Sequence, residues 1–376
     1  MSPRKIAFVT GTRADFGKLK SLMNQVQADP DFQLHVFVTG MHMLARYGST
    51  HEEVEKSGFR NIHKFINQNA SDRMDHILAK TITGLSDYVQ EVRPDLLVIH
   101  GDRVEALAGA AVGALNNLRI GHVEGGEVSG TVDELIRHSV SKLSHIHFVA
   151  NQDAHLRLRQ LGERDETVYV IGSPDIDAMN ADLPSIDKVR ERYGFNFSKH
   201  AVVMFHPVTS ELADLRRQAR ALVDALVASG RDYVVIYPNN DHGTDTILEE
   251  YERLRGNPHV RLYPSIRFEF FLRILKDAQF VVGNSSAGVR EAPHFGIPAI
   301  NIGSRQNNRV QHEAVTNVPP EASAIGAAIE RAAGTRHQPA TLFGEGNSAK
   351  MFHAILKDPK FWEQPTQKFF VDRIVQ

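Results

Sequence analysis

The sequence contains no cysteine, which excludes disulfide bonds, thiolate zinc sites and cysteine nucleophiles together. It also lacks any apolar stretch close to the roughly 20 residues that a membrane-spanning helix needs. The amino terminus, MSPRKIAFVT, runs straight into a strand-like segment instead of the apolar core of a signal peptide. These absences predict a cytoplasmic protein with no membrane partner.

An excess of charge of one sign is missing as well. Lysine and arginine number 43 against 45 aspartate and glutamate residues, a net charge of -2. No global charge attracts nucleic acid, and no basic cluster interleaved with aromatic residues indicates a nucleic-acid site. With 42% apolar residues, 27 glycines and 16 prolines, the composition is that of a globular protein. A polyanionic ligand must therefore be held by a few placed cations.

Short apolar runs rich in valine and isoleucine alternate with longer amphipathic stretches. The first series of runs is KIAFVT, LHVFVTG, DLLVIHG, RIGHVEGG, HIHFVA and VYVIGSP, and helices are predicted at 15–28, 73–92, 103–116 and 133–143. The pattern restarts after about residue 195 with AVVMFHP, DYVVIYPNN, HVRLYP, QFVVGNSS and PAINIG. This alternation predicts βαβ units and parallel sheets.

The two series of runs predict an α/β protein of two Rossmann-like domains facing a cleft. The segment DIDAMNADLPSIDKVRERYGFNFSKH has fewer strand signals, and we interpret it as the connection between the halves. We place the domains at 1–178 and 179–376, each of a typical domain size. The amphipathic stretch at the carboxyl end is predicted to be helical and could pack back on the N-terminal half.

Glycine and polar residues follow the apolar runs, at the carboxyl ends of strands where parallel sheets bind ligands. The most specific segment is GNSSAGVREAPHFGIP, in which small residues are predicted to open a helix whose free N–H groups bind an anion. Ser285 and Ser286 add hydroxyl donors, and Glu291 is placed to accept from a ribose diol. The alternative is a helix capped by Asn284 or Ser285, with a solvated Glu291.

The first strand end, TGTRADFGK, carries two cations. Arg13 and Lys18 flank a turn and could hold phosphate, although surface charges beside an ordinary strand–helix turn are the equal alternative.

Carboxylates follow two later strands and the loop after them: Asp102, Glu124, Glu127 and Asp133. Because each would repel a diphosphate, we expect them to serve proton transfer. Helix capping by Ser129, Thr131 or Asp133 is the alternative for part of this set.

The 19 histidines do not supply a coherent set of metal ligands. We therefore predict no metal site, and most of the histidines are expected to orient neighbours or to lie satisfied in the core. His206, before Pro207 at the first strand end of the second half, is the best candidate for a contact to substrate or phosphate. No Gly-x-Ser-x-Gly elbow is present, which argues against a serine hydrolase.

Taken in order, seven motifs resemble those of the hydrolysing UDP-N-acetylglucosamine (UDP-GlcNAc) 2-epimerases: TGTRADFGKLK, HGDRVEALAGA, HVEGGEVSGTVDELIRHSVSKLSHIH, GSPDID, FHPVT, YPNND and GNSSAGVREAPHFGIP. The resemblance runs from about residue 5 to 310. It implies a glycosyltransferase-B-like fold, no metal, no other cofactor and a homo-oligomer, dimer or tetramer. The reaction implied converts UDP-GlcNAc into N-acetylmannosamine (ManNAc) and UDP, the first step of sialic acid biosynthesis.

The resemblance also implies roles for individual residues. Asp102, Glu124 and Asp133 match the family's catalytic carboxylates. His206 is placed with them among the catalytic residues and is also implied as a contact to UDP. The substrate and UDP contacts implied are Arg13, Lys18, Arg103, Asn239, Phe271 as the uracil-stacking ring, Ser285, Ser286, Glu291 and Arg305. The arginine after Asp102 and the Gly-Gly-Glu after Glu124 differ from the non-hydrolysing epimerases, which favours the hydrolysing branch.

Other functions stay open at this point. The same reaction could act on UDP-2,4-diacetamido-2,4,6-trideoxyglucose or on GDP-GlcNAc, because discrimination depends on contacts to C4, C6 and the base. A glycosyltransferase of the same fold is a second alternative, although transfer does not need three carboxylates near C1 and C2. A non-catalytic nucleotide sensor is a third.

Overall fold

The computed structural model describes residues 2–69, 71–309 and 312–372. They form two compact units. Unit 1 contains the described residues of 1–127, 133–180 and 343–376, and unit 2 those of 128–132 and 181–342. None of the helices within the described ranges is long and apolar enough to cross a membrane.

A parallel sheet of seven described strands is the centre of unit 1, with the order β3-β2-β1-β4-β5-β6-β7. Strand β1 pairs with β2 in the register Arg4↔Phe32 and with β4 in the register Ile6↔Leu96. The strands are β1 (Arg4–Thr10), β2 (Phe32–Val38), β3 (Asn61–Lys64), β4 (Leu96–His100), β5 (Ile120–Val123), β6 (Ile146–Val149) and β7 (Val168–Val170). The central strands β1, β4, β5 and β6 are mostly buried and largely apolar, as expected of a sheet covered by helices on both faces.

Helices follow these strands. They are α1 (Arg13–Ala28), α2 (His51–Glu55), α3 (Met74–Val92), α4 (Val104–Leu115), α5 (Val132–Leu143), α6 (Gln152–Gln160) and α7 (Pro174–Asn180). Of these, α1, α4, α6 and α7 begin within four residues of the carboxyl end of a strand. Their amphipathic faces bury residues such as Leu19, Leu22 and Leu85 against the sheet.

Unit 2 repeats this plan with a sheet of six described parallel strands in the order β10-β9-β8-β11-β12-β13. The strands are β8 (Ala201–Met204), β9 (Tyr233–Ile236), β10 (Val260–Tyr263), β11 (Val281–Gly283), β12 (Ala299–Ile302) and β13 (Val315–Val318). The helices are α8 (Ile186–Tyr193), α9 (Leu215–Ser229), α10 (Thr244–Tyr251), α11 (Phe268–Asp277), α12 (Glu291–His294) and α13 (Ala322–Ala332). In both sheets the strand order reverses at the centre, which is where open α/β sheets bind ligands.

The chain ends on unit 1 with α14 (Ser348–Lys357) and α15 (Pro359–Glu363). Phe352 of α14 is fully buried and its ring lies 4.7 Å from that of Phe148. The carboxylate of Asp177 caps α14 by accepting from the N–H groups of Ser348 (3.0 Å) and Ala349 (2.7 Å). Helix capping and aromatic packing therefore attach the C-terminal helices to the first sheet.

The helices predicted at 15–28, 73–92, 103–116 and 133–143 are confirmed to within two residues, and each predicted apolar run contains a strand. The stretch predicted to be helical at the carboxyl end is helical only as far as Glu363 in the described residues, and 373–376 lie outside them. Two strands had no prediction, β3 (NIHK) and β13 (VTNV). Both lie at sheet edges and are partly exposed, so their sequences lack the apolar run of a central strand. The predicted connecting segment contains helices α7 and α8, and most polar residues of α8 lie on its exposed side.

Candidate active site

The turn after β1 is fixed by a capping box at the start of α1. The Asp15 N–H donates to the Thr12 hydroxyl at 3.1 Å, and the Asp15 carboxylate accepts from the N–H groups of Thr12 and Gly11, each at 3.0 Å. The helix therefore begins at Arg13, which gives Arg13 and Lys18 defined positions at the carboxyl edge of the sheet.

Each of the two predicted ligand-binding arginines of unit 1 has a carboxylate neighbour. Arg13 Nη2 donates to Glu53 Oε1 at 2.7 Å. Arg103 Nε lies 3.4 Å from Oε2 of the buried Glu105 in the first turn of α4. Such pairs hold long side chains in place before a ligand arrives.

Glu124 follows β5 and is the most closely surrounded of the predicted carboxylates. It is 4% exposed and adopts φ of 64°, a left-handed conformation that is uncommon for a residue other than glycine. Ser173 donates to Oε1 at 2.6 Å, while His100 Nε2 lies 3.1 Å from Oε2. Lys18 Nζ lies 3.6 Å from Oε1. Both carboxylate oxygens therefore have defined neighbours, and the backbone conformation presents the side chain from the end of the strand.

Asp102 lies in the turn after β4 and is bound by Arg137 of α5. Arg137 Nη2 donates to Asp102 Oδ2, and Nη1 of the same guanidinium donates to the Glu124 carbonyl oxygen at 2.6 Å. Arg137 is 3% exposed. One buried cation therefore fixes the Asp102 carboxylate relative to the backbone of Glu124.

Asp133 and Glu127 lie in the same stretch of chain as Glu124. Asp133 is in the first turn of α5, four residues before Arg137, and is partly exposed. Glu127 is 7% exposed. An acidic residue in the first turn of a helix is stabilised by the helix dipole, so a capping role remains open for Asp133.

Two buried histidines support the turns that carry these groups. His42 bonds Thr10 at 3.0 Å through Nε2 and Thr50 at 2.6 Å through Nδ1, and burial lowers its pKa to about 4. His122 bonds the Gly101 carbonyl at 2.8 Å, and burial lowers its pKa to about 3. Both are therefore neutral at pH 7 and hold the ends of β1 and β4.

In unit 2 the strand ends of β8 and β11 are tied to each other. The His206 N–H donates to Asn284 Oδ1 at 2.6 Å, and Asn284 Nδ2 donates back to the His206 carbonyl at 2.8 Å. The Asn239 N–H donates to His206 Nδ1 at 3.1 Å. Because Nδ1 accepts this bond, the neutral His206 ring carries its proton on Nε2 and can donate it to a ligand.

The GNSSAG segment differs from its prediction. The sequence predicted a helix opening directly after the serines, with Glu291 well inside it, whereas Ser286–Gly288 form a single 3-10 turn and α12 begins at Glu291. Pro293 explains the late start, because proline lacks an N–H group and is tolerated only in the first turn of a helix. The Ser285 hydroxyl accepts from the Ala287 N–H at 3.4 Å, and Glu291 is 4% exposed.

Arg305 and Phe271 are two further predicted binding residues of unit 2, and their surroundings differ from each other. Arg305 Nη1 donates to the Asn284 carbonyl at 3.4 Å, which places Arg305 beside the β11 strand end. Phe271 is 7% exposed and its ring stacks on Phe268 at 6.3 Å. Uracil stacking on Phe271 stays a prediction.

Chemically, unit 1 presents carboxylates that can take and return protons, and unit 2 presents neutral donors suited to an anion. Among residues 2–69, 71–309 and 312–372, no group of three or more histidine or acidic residues could hold a metal ion. A family model described as UDP-N-acetylglucosamine 2-epimerase matches residues 24–357. This chain belongs to that family.

The epimerase chain is 45% identical over 374 residues to the UDP-N-acetylglucosamine 2-epimerase of Neisseria meningitidis serogroup B, covering 98% of this chain and 99% of the relative. It is 33% identical over 361 residues to the UDP-N,N'-diacetylbacillosamine 2-epimerase (hydrolyzing) of Legionella pneumophila, covering 94% and 96%.

Solved epimerases share the fold. A UDP-GlcNAc 2-epimerase from Neisseria meningitidis bound to UDP-GlcNAc matches with a TM-score of 0.79 at 18% identity, covering 94% of this chain and 100% of that one. A Staphylococcus aureus MnaA-UDP structure matches with a TM-score of 0.77 at 21% identity, covering 98% and 100%. The predicted fold class, two Rossmann-like α/β domains of the glycosyltransferase-B-like type, is confirmed.

The structure adds residues to the candidate site that sequence reasoning missed. Arg137 and Ser173 donate to the predicted carboxylates Asp102 and Glu124, and Asp175 lies 3.2 Å from Lys18 Nζ. The motifs IRHSVSKL and GSPDID contained these residues, but no spacing rule connects them to Asp102 or Glu124. Only the close approach of α1, α5 and α7 to the strand ends brings them together.

Proposed function

We propose that this epimerase hydrolyses UDP-GlcNAc with inversion at C2 and releases ManNAc and UDP. The observation that carries the proposal is the carboxylate pair of unit 1, in which Arg137 donates to Asp102 and Ser173 donates to Glu124, with His100 Nε2 at 3.1 Å from Glu124 Oε2. A transferase or a nucleotide sensor has no need for such a pair. The 45% identical Neisseria relative, named as a UDP-N-acetylglucosamine 2-epimerase, supports the choice of substrate.

The proposed chemistry has two stages. As the C1–O bond breaks, UDP leaves with the bonding electrons and a carboxylate removes the C2 proton, so the C2–H electrons form the C1=C2 bond of 2-acetamidoglucal. Water then adds its hydroxyl at C1, and a proton returns to C2 from the opposite face. The C2 hydrogen is acidic only while C1 carries positive charge, so elimination needs a carboxylate and a strong anion site together.

We assign the carboxylates Asp102, Glu124 and Asp133 to the proton transfers. UDP would be held by unit 2 through donors at its strand ends, with cations of unit 1 binding sugar and phosphate. The unit 2 set is His206, Asn239, Phe271, Ser285, Ser286, Glu291 and Arg305, and the unit 1 cations are Arg13, Lys18 and Arg103. His206 suits this role because Nδ1 accepts from the Asn239 N–H, which places the ring proton on Nε2.

The pathway follows from the product. We propose that ManNAc release is the first step of sialic acid biosynthesis, in the cytoplasm, by a homo-oligomeric enzyme. The polysialic acid biosynthesis protein P7 of Escherichia coli, 32% identical over 330 residues and covering 86% of this chain and 84% of that one, supports this placement. Light scattering on the peak that elutes from a size-exclusion column measures its molar mass, and so tests whether the enzyme is a homo-oligomer.

A modified sugar nucleotide is the second candidate. The Legionella relative and a 32% identical Campylobacter jejuni relative are named as N,N'-diacetylbacillosamine 2-epimerases (hydrolyzing), the latter for GDP or UDP. Parallel incubations with UDP-GlcNAc, GDP-GlcNAc and UDP-N,N'-diacetylbacillosamine, followed by mass spectrometry, decide between them. We expect free UDP and ManNAc from UDP-GlcNAc with the highest kcat/KM. UDP-ManNAc as product, or turnover of a modified sugar only, would overturn the proposal.

A further inference from the structure

The ammonium group of Lys18 lies between two buried carboxylates. Lys18 Nζ is 3.2 Å from Asp175 Oδ2 and 3.6 Å from Glu124 Oε1. Lys18 is 8% exposed, Glu124 4% and Asp175 0%. A carboxylate withdrawn this completely from water is costly unless a cation compensates it. Two carboxylates therefore share one cation, and the three groups carry a net charge of about −1 when all are ionised.

The local fold explains why Asp175 reaches this position. Pro174 is the first residue of α7, which packs against α1, so the first turn of α7 faces Lys18. Ser173, immediately before α7, donates to Glu124. The short segment 173–175 therefore contacts both the proposed proton-transfer group and the lysine beside it.

We propose that Asp175 is a positioning residue, which holds Lys18 so that its ammonium group is shared and Glu124 keeps its capacity to take a proton. This inference rests on the proposed role of Glu124 in the epimerase reaction. The ammonium group of Lys18 lies nearer to Asp175 than to Glu124. Without the charge of Asp175, Glu124 would be the one of these two carboxylates still charged beside Lys18, and a carboxylate held in a tight buried ion pair resists protonation.

Replacing Asp175 by asparagine keeps the shape of the side chain and removes its charge. We expect Asp175→Asn to lower kcat by at least about tenfold, a part of the roughly 10²- to 10⁴-fold that a proton-transfer group contributes. The KM for UDP-GlcNAc and the calorimetric Kd for UDP should stay within about twofold, because the change lies in the proton-transfer group and not in the nucleotide contacts.

Asp177→Asn is the matched control, two residues along the same helix. Asp177 caps α14 and does not contact Lys18 in the described contacts, so its loss should lower the melting temperature while kcat stays close to the native value. A similar loss of kcat in both variants would show that α7 is only a structural element, and would overturn the assignment.

A double-mutant cycle separates action through Lys18 from a general disturbance. In a Lys18→Met background, Asp175→Asn should change kcat by less than about twofold, because the group it acts through is gone. Multiplicative losses of kcat in the double variant would contradict the proposal.

Amine labelling tests whether Asp175 holds Lys18 in place, without relying on turnover. Pulse acetylation followed by mass spectrometry should modify Lys18 faster in Asp175→Asn than in the native protein or in Asp177→Asn, since the amine loses the nearer of its two carboxylate neighbours. Equal labelling would overturn the proposal even in an active enzyme. A native protein that leaves UDP-GlcNAc intact would instead count against the proposed function, and the labelling result would still decide the position of Lys18.

Discussion

Arg137 donates a hydrogen bond to the carboxylate of Asp102 and, from the same guanidinium, one to the backbone carbonyl of Glu124. Asp102 and Glu124 follow the neighbouring strands β4 and β5, so the sheet sets the spacing of their backbones. Arg137 sets the orientation of the Asp102 side chain. The proposed acid–base pair is thus built by the fold and completed by one buried arginine.

Arg137→Lys keeps the charge but cannot form the forked contact, because an ammonium group has no planar pair of donors. We expect kcat to fall roughly 10²-fold, the scale of a 1 Å misplacement in an active site. UDP affinity should be unchanged in calorimetry, since Arg137 belongs to unit 1 and the proposed UDP contacts lie mainly in unit 2. A native kcat would show that Asp102 needs no fixed orientation.

Glu124→Gln removes the carboxylate while keeping the size of the side chain. Turnover of UDP-GlcNAc should fall by about 10²- to 10⁴-fold, the usual contribution of a general acid or base. UDP should still bind, and Asp102→Asn should behave in the same way. Unchanged turnover in either variant would remove that carboxylate from the mechanism.

Ser286→Ala removes a predicted hydroxyl donor to the diphosphate. Hydrogen bonds to charged groups contribute about 1.5–3 kcal/mol, so the calorimetric Kd for UDP should rise by roughly 10- to 100-fold. Ser229→Ala is the control, because that hydroxyl bonds Tyr233 at 2.7 Å at the amino end of β9. An unchanged Kd in the Ser286 variant would place the phosphates elsewhere.

The buried His42 makes the stability of the protein depend on pH. Its pKa is about 4 in the folded protein against 6.5 in the unfolded chain, so the unfolded chain takes up a proton first as the pH falls. The part of the unfolding free energy that depends on a neutral His42 is fully present above pH 6.5 and is lost as the pH falls through about 4. This loss amounts to about 3 kcal/mol from His42 alone.

Denaturant unfolding between pH 7 and pH 4 checks this dependence. His42→Asn should be less stable at pH 7 but should show a flatter decline of unfolding free energy with falling pH. His76→Gln, at an exposed position, is the control. The same slope in His42→Asn as in the native protein would contradict the neutral, buried state of His42.

The two-domain parallel fold could be predicted because buried parallel strands have a strong sequence pattern. KIAFVT and DLLVIHG are continuous apolar runs, whereas the edge strand NIHK is not, and it escaped prediction for that reason. Glu124 and Asp102 could be identified as candidates because they follow strands. Ser173, Asp175 and Arg137 could not, since their link to those carboxylates depends on how α5 and α7 pack on the sheet.

The GNSSAG segment shows a different limit of structure prediction from the sequence. Small residues after a strand correctly indicated a turn, but the N–H groups of residues 287–290 donate within the segment, and Pro293 delays the helix to Glu291. A proline five residues after Gly288, the glycine of that turn, was visible in the sequence. Its effect on where the helix starts follows from the missing proline N–H group.

The most direct test of the account is proton NMR of the purified enzyme with UDP-GlcNAc in D2O, with a chelator in place of added metal. Elimination followed by hydration predicts release of UDP together with ManNAc that carries deuterium at C2, because the returning proton comes from solvent. ManNAc that keeps protium at C2 would contradict the elimination step. Accumulation of UDP-ManNAc, or intact UDP-GlcNAc, would contradict the hydrolysing reaction itself.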